Sequence, residues 1–221
     1  MKALLISDTH GLHKSYDNQF LKNLGHDIDM IIHAGDVSNV GRSNEILEFL
    51  DWFSSLDQFK YKIFIAGNHD FGFDTDKYAT EAMIPDNVIY LNDSGIEIEG
   101  LKFWGSPITP TFYNWAFMKD RGDKIKPYWE AIPTDTDILI THGPPFGILD
   151  YVANSHEHVG CRDLFAELDR IRPSYHIFGH IHETYGKFET ETCKFYCASV
   201  LNGQYRATRM GHIVNLTKSL A

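Results

Sequence analysis

Ile63-Phe64-Ile65-Ala66-Gly67-Asn68-His69-Asp70 decides how this chain reads. An apolar run stops abruptly in a glycine and three polar side chains. A run without alternation suits a strand covered on both faces, and polar groups directly after it gain nothing from packing. The same pattern recurs along the chain. Ala3–Ile6 leads to Asp8-Thr9-His10, Met30–Ile32 to Gly35-Asp36, Ile138–Ile140 to Thr141-His142-Gly143-Pro144-Pro145, and His176–Phe178 to Gly179-His180-Ile181-His182. The five motifs supply three carboxylates, one side-chain amide and five imidazoles. Groups so far apart in sequence act together only if the fold gathers them. A parallel sheet does so, because its strands deliver their C-terminal ends to one edge.

Between these runs lie helical patterns. Ile46, Phe49, Leu50 and Phe53 repeat at helical spacing in Ser43–Leu56, with Ser43 in place to cap the start. Leu164, Phe165, Leu168 and Ile171 do so in Cys161–Ile171, and Pro173 stops that helix. Ile96–Trp104 alternates about a turn near Gly100 and predicts a hairpin. Lys187–Cys197 and His212–Leu216 read as extended, with turns at Gly203 and Gly211. Ser106–Trp129 has weak periodicity, is rich in proline and aromatics, and is long for a plain connection, as functional loops often are. The expected class is α/β: two mixed β-sheets packed as a sandwich and flanked by helices, in one domain over residues 1–221.

A chain of 221 residues, 43% hydrophobic, can bury one large core. The net charge of −10 and the lack of a basic stripe exclude a stable nucleic-acid partner. An acidic protein that handles phosphate needs local positive charge, and bound metal supplies it. Cys161, Cys193 and Cys197 form no CxxC pair and read as reduced thiols. No apolar stretch is long enough to span a bilayer, and the N-terminus turns polar too soon for a signal peptide. These features predict a cytoplasmic protein without a membrane partner. They leave the oligomeric state open.

Carboxylate oxygen and neutral imidazole suit borderline divalent ions such as Mn, Fe, Co and Zn. The lack of cysteine at these positions argues against structural zinc. The seven candidate ligands exceed one ion's needs and fit two, and Asp36, after a tight glycine turn, can bridge them. Gly35, Gly67, Gly143 and Gly179 each stand beside a candidate ligand, where only a missing side chain lets the backbone crowd the site. Asp8 and His10, and likewise His180 and His182, are two residues apart. An extended segment puts each pair on one face, whereas a mixed turn sends its members to different ions. A lone DxH or GD carries little weight. The ordered conjunction of five such motifs carries the reading.

That set, D-x-H, G-D, G-N-H-D, H-G-P and G-H-x-H over Lys2–Glu183, resembles the calcineurin-like metallophosphoesterase superfamily. Ile65–Asp70, Ser106–Phe117 and Ile138–Asp150 are further similar to its small class III phosphodiesterase branch, which includes the metallophosphoesterase-domain proteins of animals. The resemblance implies a four-layer fold and two divalent metal ions, manganese first, with iron, zinc or cobalt as substitutes. It implies one ion on Asp8, His10, Asp36 and His182, and another on Asp36, Asn68, His142 and His180. His69 matches the catalytic histidine, and Asp70 beside it could orient it. Val37-Ser38-Asn39-Val40-Gly41-Arg42 stands where protein phosphatases carry VDRG, which counts against that role.

The implied reaction is in-line attack of a metal-bound hydroxide on small phosphodiesters such as cyclic or linear nucleotides, with His69 protonating the leaving oxygen. A phosphomonoesterase or nuclease of the same fold is the rival within enzymes, and a silent metal-bound scaffold the rival outside them. Arg121 and Asn114, in the long aromatic loop with Phe112 and Trp115, are the candidate substrate contacts. The remaining histidines read as follows. His33 is a core residue or a partner of a ligand, His156 and His158 are surface or rim, and His13, His26, His176 and His212 are structural or exposed.

Overall fold

The computed structural model describes residues 1–25 and 27–218, so His26 lies outside the described residues. In chain order the strands are β1 (Lys2–Ile6), β2 (Met30–Ala34), β3 (Tyr61–Ile65), β4 (Ile89–Tyr90), β5 (Ser94–Ile98), β6 (Leu101–Ser106), β7 (Thr109–Pro110), β8 (Met118–Lys119), β9 (Ile138–Thr141), β10 (Tyr151–Val152), β11 (Glu157–His158), β12 (Tyr175–Phe178), β13 (Gly186–Glu189), β14 (Lys194–Cys197) and β15 (His212–Asn215). The helices are α1 (His13–Gln19), α2 (Ser43–Ser54), α3 (Phe71–Thr75), α4 (Lys77–Glu81), α5 (Lys126–Glu130) and α6 (Arg162–Ile171). One sheet runs β15-β1-β2-β3-β4 and the other β13-β14-β12-β9-β6-β5. Inner neighbours pair in parallel, while β15, β13 and β5 close edges in antiparallel fashion.

The unbroken apolar runs are explained by two cores. Leu5, Ile32 and Ile63 point inward and meet Phe103, Ile140 and Ile177 of the opposite sheet. Leu4, Ile31 and Phe64 point outward into the cluster that holds Ile46, Phe49, Leu50 and Phe53 of α2. At about 25 cal/mol per Å², each such large apolar side chain contributes on the order of 1.5–3 kcal/mol by burial. At the C-terminal end the two sheets are tied together: Ser7 N donates to the Ala198 carbonyl at 2.9 Å and Val200 N to the Ser7 carbonyl at 3.1 Å. This tie brings the strand ends of both sheets to one edge.

Several local expectations change. Ser43 is the first residue of α2, not its cap. The end is held instead by Glu45, whose carboxylate accepts from Arg42 N at 3.1 Å. Cys161 caps α6 through Sγ, which accepts from Leu164 N at 3.4 Å, and Arg172, left-handed at φ 51°, ends it before Pro173. The β5–β6 hairpin turns at Glu99 and Gly100, both with positive φ, as a two-residue loop requires. The segment 106–129 is not a bare loop: it contains β7, β8 and the start of α5, and Ala116 N donates to the Asn68 carbonyl at 3.1 Å. All three cysteines are free and buried.

Two buried histidines set an acid limit. Thr141 gives its one hydroxyl proton to the Gly143 carbonyl at 2.7 Å, so His176 Nε2, 2.8 Å away, must donate to Thr141. Nδ1 of His176 is then buried without a partner, and burial depresses its pKa to about 3. His33, on Thr9 Oγ1 at 2.9 Å, is depressed by burial to about 3 as well. Folded pKa values below the ordinary 6.5 mean that the unfolded chain binds more protons. The contribution of these two residues is therefore present above pH 6.5 and is lost as pH falls toward 3, by about 1.4 kcal/mol per unit for each. Urea unfolding between pH 7.5 and 5 should show this slope, reduced by about one proton in His176→Gln.

Candidate metal centre and active site

The motif residues meet at the shared edge. Side-chain ligand atoms of Asp8, His10 and His182 lie within 4.8 Å of one another, as do those of Asp36, His142 and His180. A third such group joins His10 and Asp36 to His69. Asn68 Oδ1 stands 3.0 Å from His142 Nε2, which places Asn68 with the second group. Asp8 and His10 thus serve one cluster, whereas His180 and His182 divide between two. The cause is backbone: Asp8, His10, Asp36 and His180 have φ of 56°, 42°, 57° and 71°. Left-handed non-glycine residues are costly and collect where the surroundings over-determine them.

Close approach to the site explains Gly35, Gly67 and Gly179, whereas a Cβ on Gly143 would meet only the Thr109 side chain at 3.0 Å. A Cβ on Gly179 would stand 2.2 Å from Asp8 Oδ2, and one on Gly67 2.3 Å from Asp36 Oδ1. Gly67→Ala should push Asp36 aside and destabilise the fold by about 1–3 kcal/mol. Thermal unfolding together with metal content after reconstitution checks this: the midpoint and the stoichiometry should fall together.

Two of the rings are aimed by their other nitrogen. His142 Nδ1 lies 2.9 Å from the Ala34 carbonyl, and His182 Nδ1 lies 3.2 Å from that of Asn202. Both therefore donate there and leave Nε2 toward the centre. His10 Nε2 and His182 Nε2 face each other at 3.2 Å, with Asp8 Oδ1 3.6 Å from His182. Asp8 is fixed by Ser7 Oγ at 2.5 Å, Ser199 Oγ at 2.6 Å and the amide of His180 at 3.1 Å. Ser7 and Ser199 carry no sequence signal of this role.

The electrostatics follow. Burial would raise Asp8 and Asp36, but the surrounding imidazoles hold both carboxyls well below the usual range. Burial lowers His10 and His180 to about 4. It also acts on His142, yet Asp36 outweighs it and lifts that ring to about 9. His182 is raised by Asp8 against its burial. A cation entering this centre would displace protons, so affinity should weaken as pH falls.

His69 is half-buried. Its Nδ1 donates to the Asn39 carbonyl at 2.6 Å, which leaves Nε2 free, and its ring is packed against Trp115 at 4.3 Å. Asp70 does not touch it. That carboxylate accepts from Gly67 N, Val37 N, Ser38 N and Ser38 Oγ at 2.6–3.1 Å and braces the Gly35-Asp36 turn. Burial and then Asp36 raise Asp70 to about 6.

The centre opens into a cleft of about 980 Å³. Phe112, Trp115, Phe146 and Tyr205 give it aromatic walls. Tyr205, which no motif announces, stands 4.9 Å from the His10 ring and 5.0 Å from that of His182. Arg121 lines the cleft, whereas Asn114 is exposed and stands outside its lining. His158 also lines it, while His156 is exposed beside Tyr151. His13 is buried against Trp52, and His212 stacks on Tyr185.

Fold and site together define a class. Residues 1–184 match the calcineurin-like phosphoesterase family, and the chain belongs to it. It is 36% identical over 211 residues to human metallophosphoesterase domain-containing protein 1, covering 85% of this chain and 64% of that protein. It is 37% identical over 215 residues to a UPF0046 protein of Caenorhabditis elegans, covering 91% and 70%. The chain thus spans just under two thirds of the human relative. Among solved structures, TT1561 of Thermus thermophilus matches with a TM-score of 0.59 at 12% identity, covering 89% of this chain and 88% of that one. GAP50, described as the anchor in the inner membrane complex of Plasmodium, matches with a TM-score of 0.53 at 13% identity, covering 90% and 71%. These likenesses show the fold. Among the described residues no helix is long and apolar enough to cross a membrane.

Proposed function

We propose that this chain is a metal-dependent phosphodiesterase acting on small, nucleotide-like diesters, as a single domain over residues 1–221 in the cytoplasm. The observation that carries the reading is the convergence of Asp8, His10, Asp36, Asn68, His142, His180 and His182 from five strand ends, with His69 beside them. The donor set fits divalent cations: two buried carboxylates, four imidazoles of which His142 and His182 are aimed through Nε2 by backbone carbonyls, and no thiolate. Asp8, His10, Asp36 and His182 would hold one ion. Asp36, Asn68, His142 and His180 would hold the other, with manganese first among Mn, Fe, Zn and Co.

Such ions, when bound, offset charge on phosphoryl oxygens and acidify water. The chain supplies the rest. Asp36 accepts the His69 amide at 2.9 Å and so locks the base of the His69 loop to the centre. The Asn39 carbonyl holds His69 Nδ1–H, and in its imidazolium form Nε2–H can protonate the departing alkoxide. The aromatic walls offer apolar faces to the organic groups of the ester.

Turnover of bis(4-nitrophenyl) phosphate and of 4-nitrophenyl phosphate, with manganese and with chelator, tests this. The diester should be favoured and chelation should abolish turnover of both. A preference for the monoester would make the chain a phosphomonoesterase. Metal binding without turnover of either would support the scaffold reading.

A further inference from the structure

One wall of the cleft lies outside the histidine centre and has its own construction. Asp150 is buried, and its carboxylate accepts from Gly147 N at 2.9 Å, Gly160 N at 3.0 Å and His158 Nδ1 at 2.6 Å. An ionised carboxylate only accepts, so His158 Nδ1 donates and Nε2 is left for the cleft. The His158 side chain is 48% exposed although its partner is fully covered. Phe146 stands between this ring, at 5.8 Å, and the Arg162 guanidinium, which lies 3.4 Å over its face. A guanidinium stacked this way keeps its edge donors free. Arg121 donates to the carbonyls of Val159 and Gly160, both at 2.8 Å, and so is fastened to the backbone that carries His158. Those bonds use two of its five N–H groups.

Neither guanidinium has a carboxylate within 4 Å among the described residues. Among the described residues, Glu157 also lines this wall, and Asp163 beside Arg121 is turned to the Gly122 amide at 3.1 Å. The Asp150 carboxylate is turned to its three donors, which leaves the guanidinium edges and His158 Nε2 as the polar groups this wall presents to the cleft. Donor forks beside an aromatic face, with an oriented imidazole nitrogen, suit a phosphate-type dianion.

We propose that His158, Arg162 and Arg121 form a second anion subsite, which receives a phosphoryl dianion on the part of the substrate that is not cleaved. This rests on the phosphoesterase reading and narrows its substrate class to phosphodiesters that carry a further phosphoryl group. Arg162 and His158 are specificity residues of that subsite, and Asp150 is the positioning residue for His158.

The test uses two matched diesters with the metal-loaded protein: 4-nitrophenyl propyl phosphate and 4-nitrophenyl 3-phosphonopropyl phosphate. The second should have a kcat/KM higher by about tenfold, mostly through KM, with the advantage shrinking at high salt. Arg162→Gln and His158→Gln should each bring the ratio toward one. Both positions are exposed, and unfolding midpoints verify that the variants are folded. Calorimetric titration with propyl phosphate and 3-phosphonopropyl phosphate should show the same preference, and the same loss, without turnover. Equal rates and equal affinities for the two compounds in the parent chain overturn the subsite. A preference that survives both variants overturns its assignment to this wall and leaves Asp150–His158 as a brace for the 144–160 loop. Absence of turnover of either diester counts against the phosphoesterase reading alone, because the calorimetric pair still decides the subsite.

Discussion

His69→Ala is expected to lower turnover of an aryl diester by about 10²–10⁴-fold while metal content stays near that of the parent chain. The expectation comes from how the ring is held. Nδ1 is committed to the Asn39 carbonyl, Trp115 covers one face, and the His10 ring meets it edge-on at 4.6 Å. What remains is Nε2 beside the open cleft, where a leaving oxygen would stand. His69 also shares a cluster with His10 and Asp36, so geometry alone permits a ligand role. Elemental analysis separates the two. Retained metal with lost turnover fits a proton donor, and the effect should be greatest for esters with poor leaving groups. Loss of metal would make His69 a ligand and remove it from the proton-transfer step.

Asp36→Asn should have the larger effect on composition. Oδ2 of Asp36 lies 3.6 Å from His10 Nε2 and 3.3 Å from His142 Nε2, so one carboxylate stands between the two groups of donors. A neutral amide cannot offset two cations. The variant should retain less than half of the parent's metal and lose about 10²–10³-fold or more in turnover, the scale on which removal of one electrostatic group at a reacting centre acts. Asparagine can still accept the His69 amide through its own oxygen, which should preserve the loop. Full metal content in a folded Asp36→Asn chain would refute the bridging role.

The parallel strands were legible because they are buried on both sides. Runs such as Ile63–Ala66 have no polar face to hide, so composition alone marks them, and the polar motif after each has no packing reason to exist. Glycine at 67 and 179 was legible as a place where backbone crowds side chains, and the short Cβ distances supply the cause. Helix ends were less so. Ser43 has the right chemistry for a cap, but the chain places Glu45 to reach back to Arg42 instead. Weakly periodic 106–129 hid β7 and β8 because each is two residues long, too short to show a period, and the two pair across an irregular bend.

By itself the sequence determined which groups stand at the ends of buried strands, because hydrophobic burial and polar exclusion act residue by residue. It also determined, through the type of those groups, that the assembled edge suits divalent cations. Only the tertiary structure decided how His180 and His182 divide, that Asn39 and not Asp70 holds His69, and that Asp150, Phe146 and Arg162 meet His158. These depend on left-handed turns and on loops packed across two sheets. Their energies belong to pairs of residues far apart in the chain, and no local spacing encodes them.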